Sequence, residues 1–245
     1  AQFLRLAAGD INLPRGPDDE PSDNGQWGLG MRYQLTGATN IGLYWLRYHN
    51  ASPQVRLDFV NNQYNVFYAD GIQMTALSFS SRLGPANIAG EVSYRDKMDL
   101  LVDGPMGPTA TRGGMSQVLI SALYTMTPNP ISRQIDLVGE IGAVRVHSVD
   151  ALEDGSDGLT ADRSSWAYSG MATFNYPNVF PRWDMAIPVT VSGIEGGTPA
   201  MAGAFGGNFG RADRRASIGA NFVYLQRLEV GVSYNAFFGS PDLVD

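Results

Sequence analysis

The sequence predicts an all-β protein: a transmembrane, antiparallel, up-and-down β-barrel of the outer-membrane type. Three observations predict it. Apolar and polar residues alternate with a period of two from residue 26 almost to the C-terminus. Most alternating runs are about ten residues or longer, against roughly five or six for an ordinary globular strand. Short and long connections also alternate strictly along the chain, as they do between the two sides of an outer-membrane barrel.

Ten strands follow, over residues 26–36, 39–49, 71–82, 87–97, 116–127, 132–147, 164–177, 182–193, 214–224 and 227–239. The first sets Trp27, Leu29, Met31, Tyr33 and Leu35 against Gly28, Gly30, Arg32 and Gln34. The second carries Tyr44, Leu46 and Tyr48 on its expected inner face. The third dissents: Ile72, Met74 and Ala76 share one face while Leu77 and Phe79 share the other, so alternation leaves its facing open. The fourth sets Ile88, Val92 and Tyr94 against Glu91, Ser93 and Arg95, and the sixth sets Ile135, Leu137 and Ile141 against Asp136 and Glu140.

The seventh strand is the fullest case. Trp166, Tyr168, Gly170, Ala172, Phe174 and Tyr176 face one way, and Ala167, Ser169, Met171, Thr173 and Asn175 the other. Ten steps at roughly 3.3 Å make about 33 Å along the strand, which a tilt near 40° reduces to about 25 Å across a membrane. The aromatics then fall at both lipid–water boundaries. The eighth strand repeats the arrangement, Trp183, Met185, Ile187, Val189 and Val191 against Asp184, Ala186, Pro188, Thr190 and Ser192. Pro188 lacks a ladder donor, which predicts a bulge or, more sharply, a lateral opening between lumen and membrane. The tenth sets Leu228, Val230, Val232, Tyr234 and Phe238 against Glu229, Ser233 and Asn235.

Tight turns, "TGAT", "LGPAN", "TPNPI", "YPNVFPR" and "LQR", join the strands in pairs, and long links span residues 50–70, 98–115, 148–163 and 194–213. Short turns in the periplasm would place residues 1–25 and the terminal "GSPDLVD" outside. A self-contained bacterial barrel has an even strand number and periplasmic termini. The expectation is therefore one barrel domain over residues 1–245, incomplete at both ends: an extracellular segment 1–25, strands within 26–239, and at least one strand missing on either side.

Composition narrows the partners. With 44% apolar and 17% charged residues, disorder and a charge-rich helical bundle are disfavoured. No window approaches eighteen uninterrupted apolar residues, so a transmembrane helix is excluded. The net charge is −7 and Lys97 is the single lysine, so no basic stripe exists to bind nucleic acid. The absence of cysteine rules out disulfides and thiolate metal sites. A soluble β-sandwich or lipocalin-like barrel with its oily face inward would give the same period. Strand length, loop sorting and the paired aromatic ends count against it.

A charge on the lipid face of a barrel costs up to a few kcal/mol, so mid-strand charges mark the lumen. The candidates are Arg32, Glu91, Arg95, Asp136, Glu140, Asp184 and Glu229. Their mixed signs predict a channel for passive passage of a small solute, without strong ion selectivity, covalent chemistry, cofactor or metal. Lipid bilayer and lipopolysaccharide are the expected surroundings, in a bacterial outer membrane. The first alternative is a conduit for hydrophobic compounds or lipids, linked to an envelope export system, which Pro188 and the inner face of the second strand would suit. The second is an outer-membrane lipid hydrolase. For it, Ser52 follows His49 by three residues and Ser148 adjoins His147, but neither pair has the His-x-Ser spacing of outer-membrane phospholipases. Two other stretches imitate sites. "DALEDGSDG" lacks ligands at Leu152 and Ala161 in an EF-hand alignment, and "GAFGGNFGR" has no helix following it to complete a phosphate cradle.

The stretches "GLGMRYQLTGATNIGLYWLRYHNASP" and "FYADGIQMTALSFSSRLGPANIAGEVSYR" resemble a group of proteobacterial outer-membrane proteins known as domain of unknown function 1302. The likeness covers most of the chain. It implies a longer membrane barrel and transfers no active site.

Overall fold

The computed structural model describes residues 3–5, 12–58, 60–105, 107–201, 204–205 and 210–239. Among them are fourteen strands and no helix: β1 (Phe3–Arg5), β2 (Asn12–Pro14), β3 (Trp27–Thr36), β4 (Thr39–Tyr48), β5 (Gln54–Asp58), β6 (Gln63–Phe67), β7 (Ile72–Leu83), β8 (Ala86–Gly104), β9 (Gly107–Met126), β10 (Gln134–Val149), β11 (Ser164–Phe180), β12 (Trp183–Ile194), β13 (Arg214–Tyr224) and β14 (Leu228–Phe238). β3, β4 and β7 to β14 form one antiparallel sheet of ten strands in which every neighbour in space is also the next strand along the meander. β1–β2 and β5–β6 are separate two-stranded ribbons. The large sheet does not close, because β3 and β14 pair on one side only.

All ten expected strands are present, eight of them within three residues of the expected bounds. The exceptions are β8 and β9, which continue through the link expected over 98–115. Their register passes from Arg95↔Met115 to Met98↔Gly113, a bulge with Lys97 at φ 59°. One extra residue turns the even-numbered side chains of β8 to the opposite face. Tyr94 therefore points to one face, while Met98, Leu100 and Val102 are buried on the other. The link 50–70 is likewise structured, as the β5–β6 hairpin.

Register settles the facing of every strand in the sheet, because directly paired residues share a face. Ile41↔Phe79 and Leu43↔Leu77 place Leu77 and Phe79 with the outer apolar set. Tyr48↔Ile72, Leu46↔Met74 and Tyr44↔Ala76 place the other set on the opposite face, with Gly42 and Ser78, which resolves the strand that alternation left open. The line of paired residues starting at Thr39, the first of β4, crosses Ser81, Ala122 and Gly170 and reaches Ala236, eight residues beyond the start of β14. Eight strand spacings of about 4.8 Å against eight residues of about 3.3 Å give strands inclined by about 35° when the short turns are level.

The two faces differ in what covers them. At the long-link end the polar face is packed over. Ile72, Met115, Val144 and Val146 form a buried cluster with Phe67, Ala69, Met98 and Leu100, flanked by Met201, Ala204 and Phe205 from the 194–213 link. Gln117 Nε2 donates to the Ala204 carbonyl at 3.4 Å, and the Phe205 ring lies against Gly142, where a Cβ would be 3.2 Å from it. Among the described residues nothing comparable covers the apolar face: Leu29 is 66% exposed, Ile141 58% and Val232 69%. Trp166, Phe174 and Ile187 all lie on this bare side.

Candidate functional site

All seven charged candidates share the polar face. Arg32 pairs with Gly42; Glu91 with Ser78 and Leu119; Arg95 with Met74 and Met115. Asp136 lies between Thr125 and Thr173, and Glu140 between Ser121 and Ser169. Asp184 and Glu229 both pair with Val223. One row across this face carries mainly small hydroxyl and amide side chains, Asn40, Ser80, Ser121, Ser169 and Ser192, with Ala89 and Glu140 among them, and ends at Arg215. Such groups donate and accept equally, so this face offers hydrogen bonds of either sense.

Hydrogen bonding divides the candidates by availability. Asp136 accepts from Thr125 Oγ1 at 2.9 Å, from Gln134 Nε2 at 2.9 and 3.0 Å, and from Asn175 Nδ2 at 2.8 Å, so its carboxylate is committed to the wall. Asp184 accepts from the Asn178 amide at 2.9 Å and holds the short turn before β12. Arg95 donates to Gln117 Oε1 at 2.9 Å and to Ser93 Oγ at 3.2 Å. Glu91, Glu140 and Glu229 have no hydrogen bond or ion pair among the described residues, and Arg32 donates only to Tyr44 Oη, at 3.0 Å. The open charges are therefore Arg32 and three glutamates.

Arg32 and Glu91 bound a recess of about 610 Å³ on the polar face. Its floor contains Gly42, Tyr44, Ser78, Ser80 and Ser121. Gly42 is a spatial requirement: a Cβ there would lie 2.7 Å from both Ser78 Oγ and Tyr44 Oη. The tyrosine can lean over the strand only because position 42 is bare. Its hydroxyl thereby links Arg32 towards Ser78. Sequence reasoning placed Tyr44 inside but missed Gly42 and Ser78, because Ser78 sits on the strand whose facing alternation left open.

Pro188 pairs with Thr173 across β11. Towards β13 the pairing runs Ala186↔Asn221 and resumes at Val189↔Ile218 on the same register, so no bulge forms, contrary to the simpler expectation. Gly219 makes room for the ring, and a Cβ there would be 3.3 Å from Pro188 Cγ.

Neither Ser–His pair weighed for hydrolysis, His49 with Ser52 or His147 with Ser148, is joined by a hydrogen bond among the described residues. The His49 ring sits between the Asn24 carbonyl, 3.0 Å from Nε2, and the Gly71 amide, which donates to Nδ1 at 2.9 Å. His147 Nε2 is 2.8 Å from Ser116 Oγ, while Ser148 Oγ accepts from the Gly114 amide at 3.0 Å. No carboxylate hydrogen-bonds to either imidazole among the described residues. In the acidic loop, Asp154 accepts from the Ser156 amide and hydroxyl at 3.0 and 2.9 Å, which fixes a turn. The described residues bring no three potential metal ligands together. Most of "GAFGGNFGR" lies outside the described residues, as do most of the residues before Asn12 and those after Gly239.

Residues 2–244 match the model of a family described as protein of unknown function (DUF1302). No curated protein and no solved structure matches the chain.

Proposed function

The chain belongs to the DUF1302 family, and from that premise we propose that its sheet is wall of an outer-membrane β-barrel through which a small polar solute passes. One observation carries the reading: in the half of the sheet nearer the short turns every charged strand residue falls on the polar face, with Arg47, Asp96, Arg145 and Arg214 on the apolar side lying towards the long links, while that side is a broad apolar surface left uncovered among the described residues. In water that surface would be a liability; against hydrocarbon it is the solvent-matched side. Strand inclination supports the same reading, since about 35° is at the lower end of what membrane barrels use. Unpaired backbone groups cost several kcal/mol in hydrocarbon, so β3 and β14 each require a further strand beside them. The bilayer and lipopolysaccharide surround the wall, and passage needs no covalent chemistry, cofactor or metal.

A specific observation favours a second reading. At the long-link end the inner side carries the buried apolar cluster of Phe67, Ile72, Met115, Val144 and Val146, and the half-buried Tyr48, Met201 and Phe205 packed against it would meet hydrophobic compounds handed on by an envelope transport partner. Planar bilayers separate the two. The channel reading expects conductance steps whose cation preference falls in Glu140→Gln. Silent bilayers, together with apolar material co-purifying with the protein, would replace it with the conduit.

A further inference from the structure

Arg32 and Glu91 stand in one row of the recess, separated by Gly42 and Ser78. Three strand spacings put their Cα atoms about 14 Å apart along the wall. The residues between them carry only a hydrogen atom and a hydroxymethyl group, and the Tyr44 hydroxyl leans over Gly42 into the interval beside Ser78, so hydroxyls bridge the space between the two charges. Tyr44 Oη, 3.0 Å from Arg32 Nε, holds the guanidinium at one end. Glu91 has no partner of its own at the other, and Glu140 follows one strand beyond Ser121 and strengthens the negative side. The recess is thus cationic at one end and anionic at the other, with the hydroxyls of Tyr44, Ser78, Ser80 and Ser121 and the apolar side chains of Ala89 and Leu119 between.

A net anion of solute size gains Arg32 but faces Glu91 and Glu140; a net cation meets the reverse. An uncharged solute gains hydrogen bonds alone. Only a molecule carrying both charges, at opposite ends of an extended backbone, complements both ends at once. We propose that the Arg32–Glu91 recess binds small zwitterions of dipeptide size, carboxylate towards Arg32 and ammonium towards Glu91. This rests on the channel reading and names its solute class.

The test uses the full-length protein with glycylglycine as zwitterion and N-acetylglycinamide as its uncharged counterpart. Calorimetry on the detergent-solubilised protein measures binding, and swelling of protein-containing liposomes measures entry. Glycylglycine should bind and enter faster than N-acetylglycinamide. Arg32→Gln or Glu91→Gln should each lower that preference about three-fold or more, the scale of one solvated ion pair. The double variant Arg32→Glu with Glu91→Arg should restore it, since a zwitterion can bind reversed. Equal binding and entry of both solutes, unaffected by either substitution, overturns the proposal and leaves the channel intact. Glycylglycine binding that depends on Glu91, with no entry of either solute, sustains the recess and removes the channel.

Discussion

Asp70 joins two elements through a single side chain. Its carboxylate accepts from Arg112, which also donates to the Asp70 carbonyl at 2.7 Å. The Arg112 guanidinium lies 5.4 Å from the centre of the Phe67 ring, and Arg56, tied to Asp19 at 3.0 Å, stacks on the same ring at 3.6 Å. The β5–β6 hairpin, which holds both Arg56 and Phe67, is thus attached to the extension of β9 by Arg112 on the Phe67 ring, while Arg56 on the same ring ties the hairpin to Asp19. The Arg112 hydrogen bond holds the Asp70 carboxyl below its ordinary value of 3.8, against a smaller opposing effect of burial. A depressed folded value means that the contribution to stability is complete above pH 3.8 and is lost as pH falls through the lower folded value. The melting temperature of Asp70→Asn should accordingly lie below that of the wild type at neutral pH, with the gap shrinking below pH 3.8. A gap that stays constant from neutral to strongly acid solution would remove Asp70 from the attachment. None of this was legible in the sequence, because Asp70 and Arg112 are 42 positions apart and only the hairpin brings them together.

At the scale of elements, alternation located the ten long strands because side-chain direction in a strand has a period of two and this sheet presents unlike surroundings on its two faces. The same rule failed at Lys97 for a physical reason. From Val92 to Val102 the even positions stay mostly apolar, yet the bulge turns them from the outer face to the buried one. No count of alternating residues reveals an added residue that leaves the parity unchanged. The β5–β6 hairpin was more legible: Val55 and Leu57 alternate, Tyr64 and Val66 alternate, and Asn62 between them adopts φ 51°. Five-residue runs are short beside the others and were absorbed into a link. The bulge itself can be tested at Lys97, whose φ of 59° is tolerated by glycine and resisted by a β-branched residue. Lys97→Val should destabilise by about 1–2 kcal/mol in denaturant titration, while Lys97→Gly should be neutral or mildly stabilising. Equal losses in both would mean that the lysine side chain, rather than the backbone geometry, supports the bulge.

For the whole molecule, what decides between a membrane wall and a water-soluble sheet is the medium against the apolar face. Ile120 in β9 is 51% exposed there and lies near mid-strand, between Val118 and Ala122 on the same side. Ser169 in β11 occupies the other face, paired with Glu140 and Ser192. Suppose water bathes both faces. Ile120→Arg would then cost little, because half-exposed surface positions usually tolerate charge within about 0.5 kcal/mol. Suppose instead that hydrocarbon bathes the outer face. The same substitution would cost about 2–4 kcal/mol at mid-depth, whereas Ser169→Arg, in an aqueous interior beside a carboxylate, would cost little or nothing. Folding equilibria of the two variants in lipid vesicles give the comparison directly, and the sign of the difference is independent of what the lumen carries. A penalty at Ile120 well above that at Ser169 places hydrocarbon on the face that begins with Trp27 and ends with Phe238. Equal, small penalties would return that face to water and take both the channel and its recess with it.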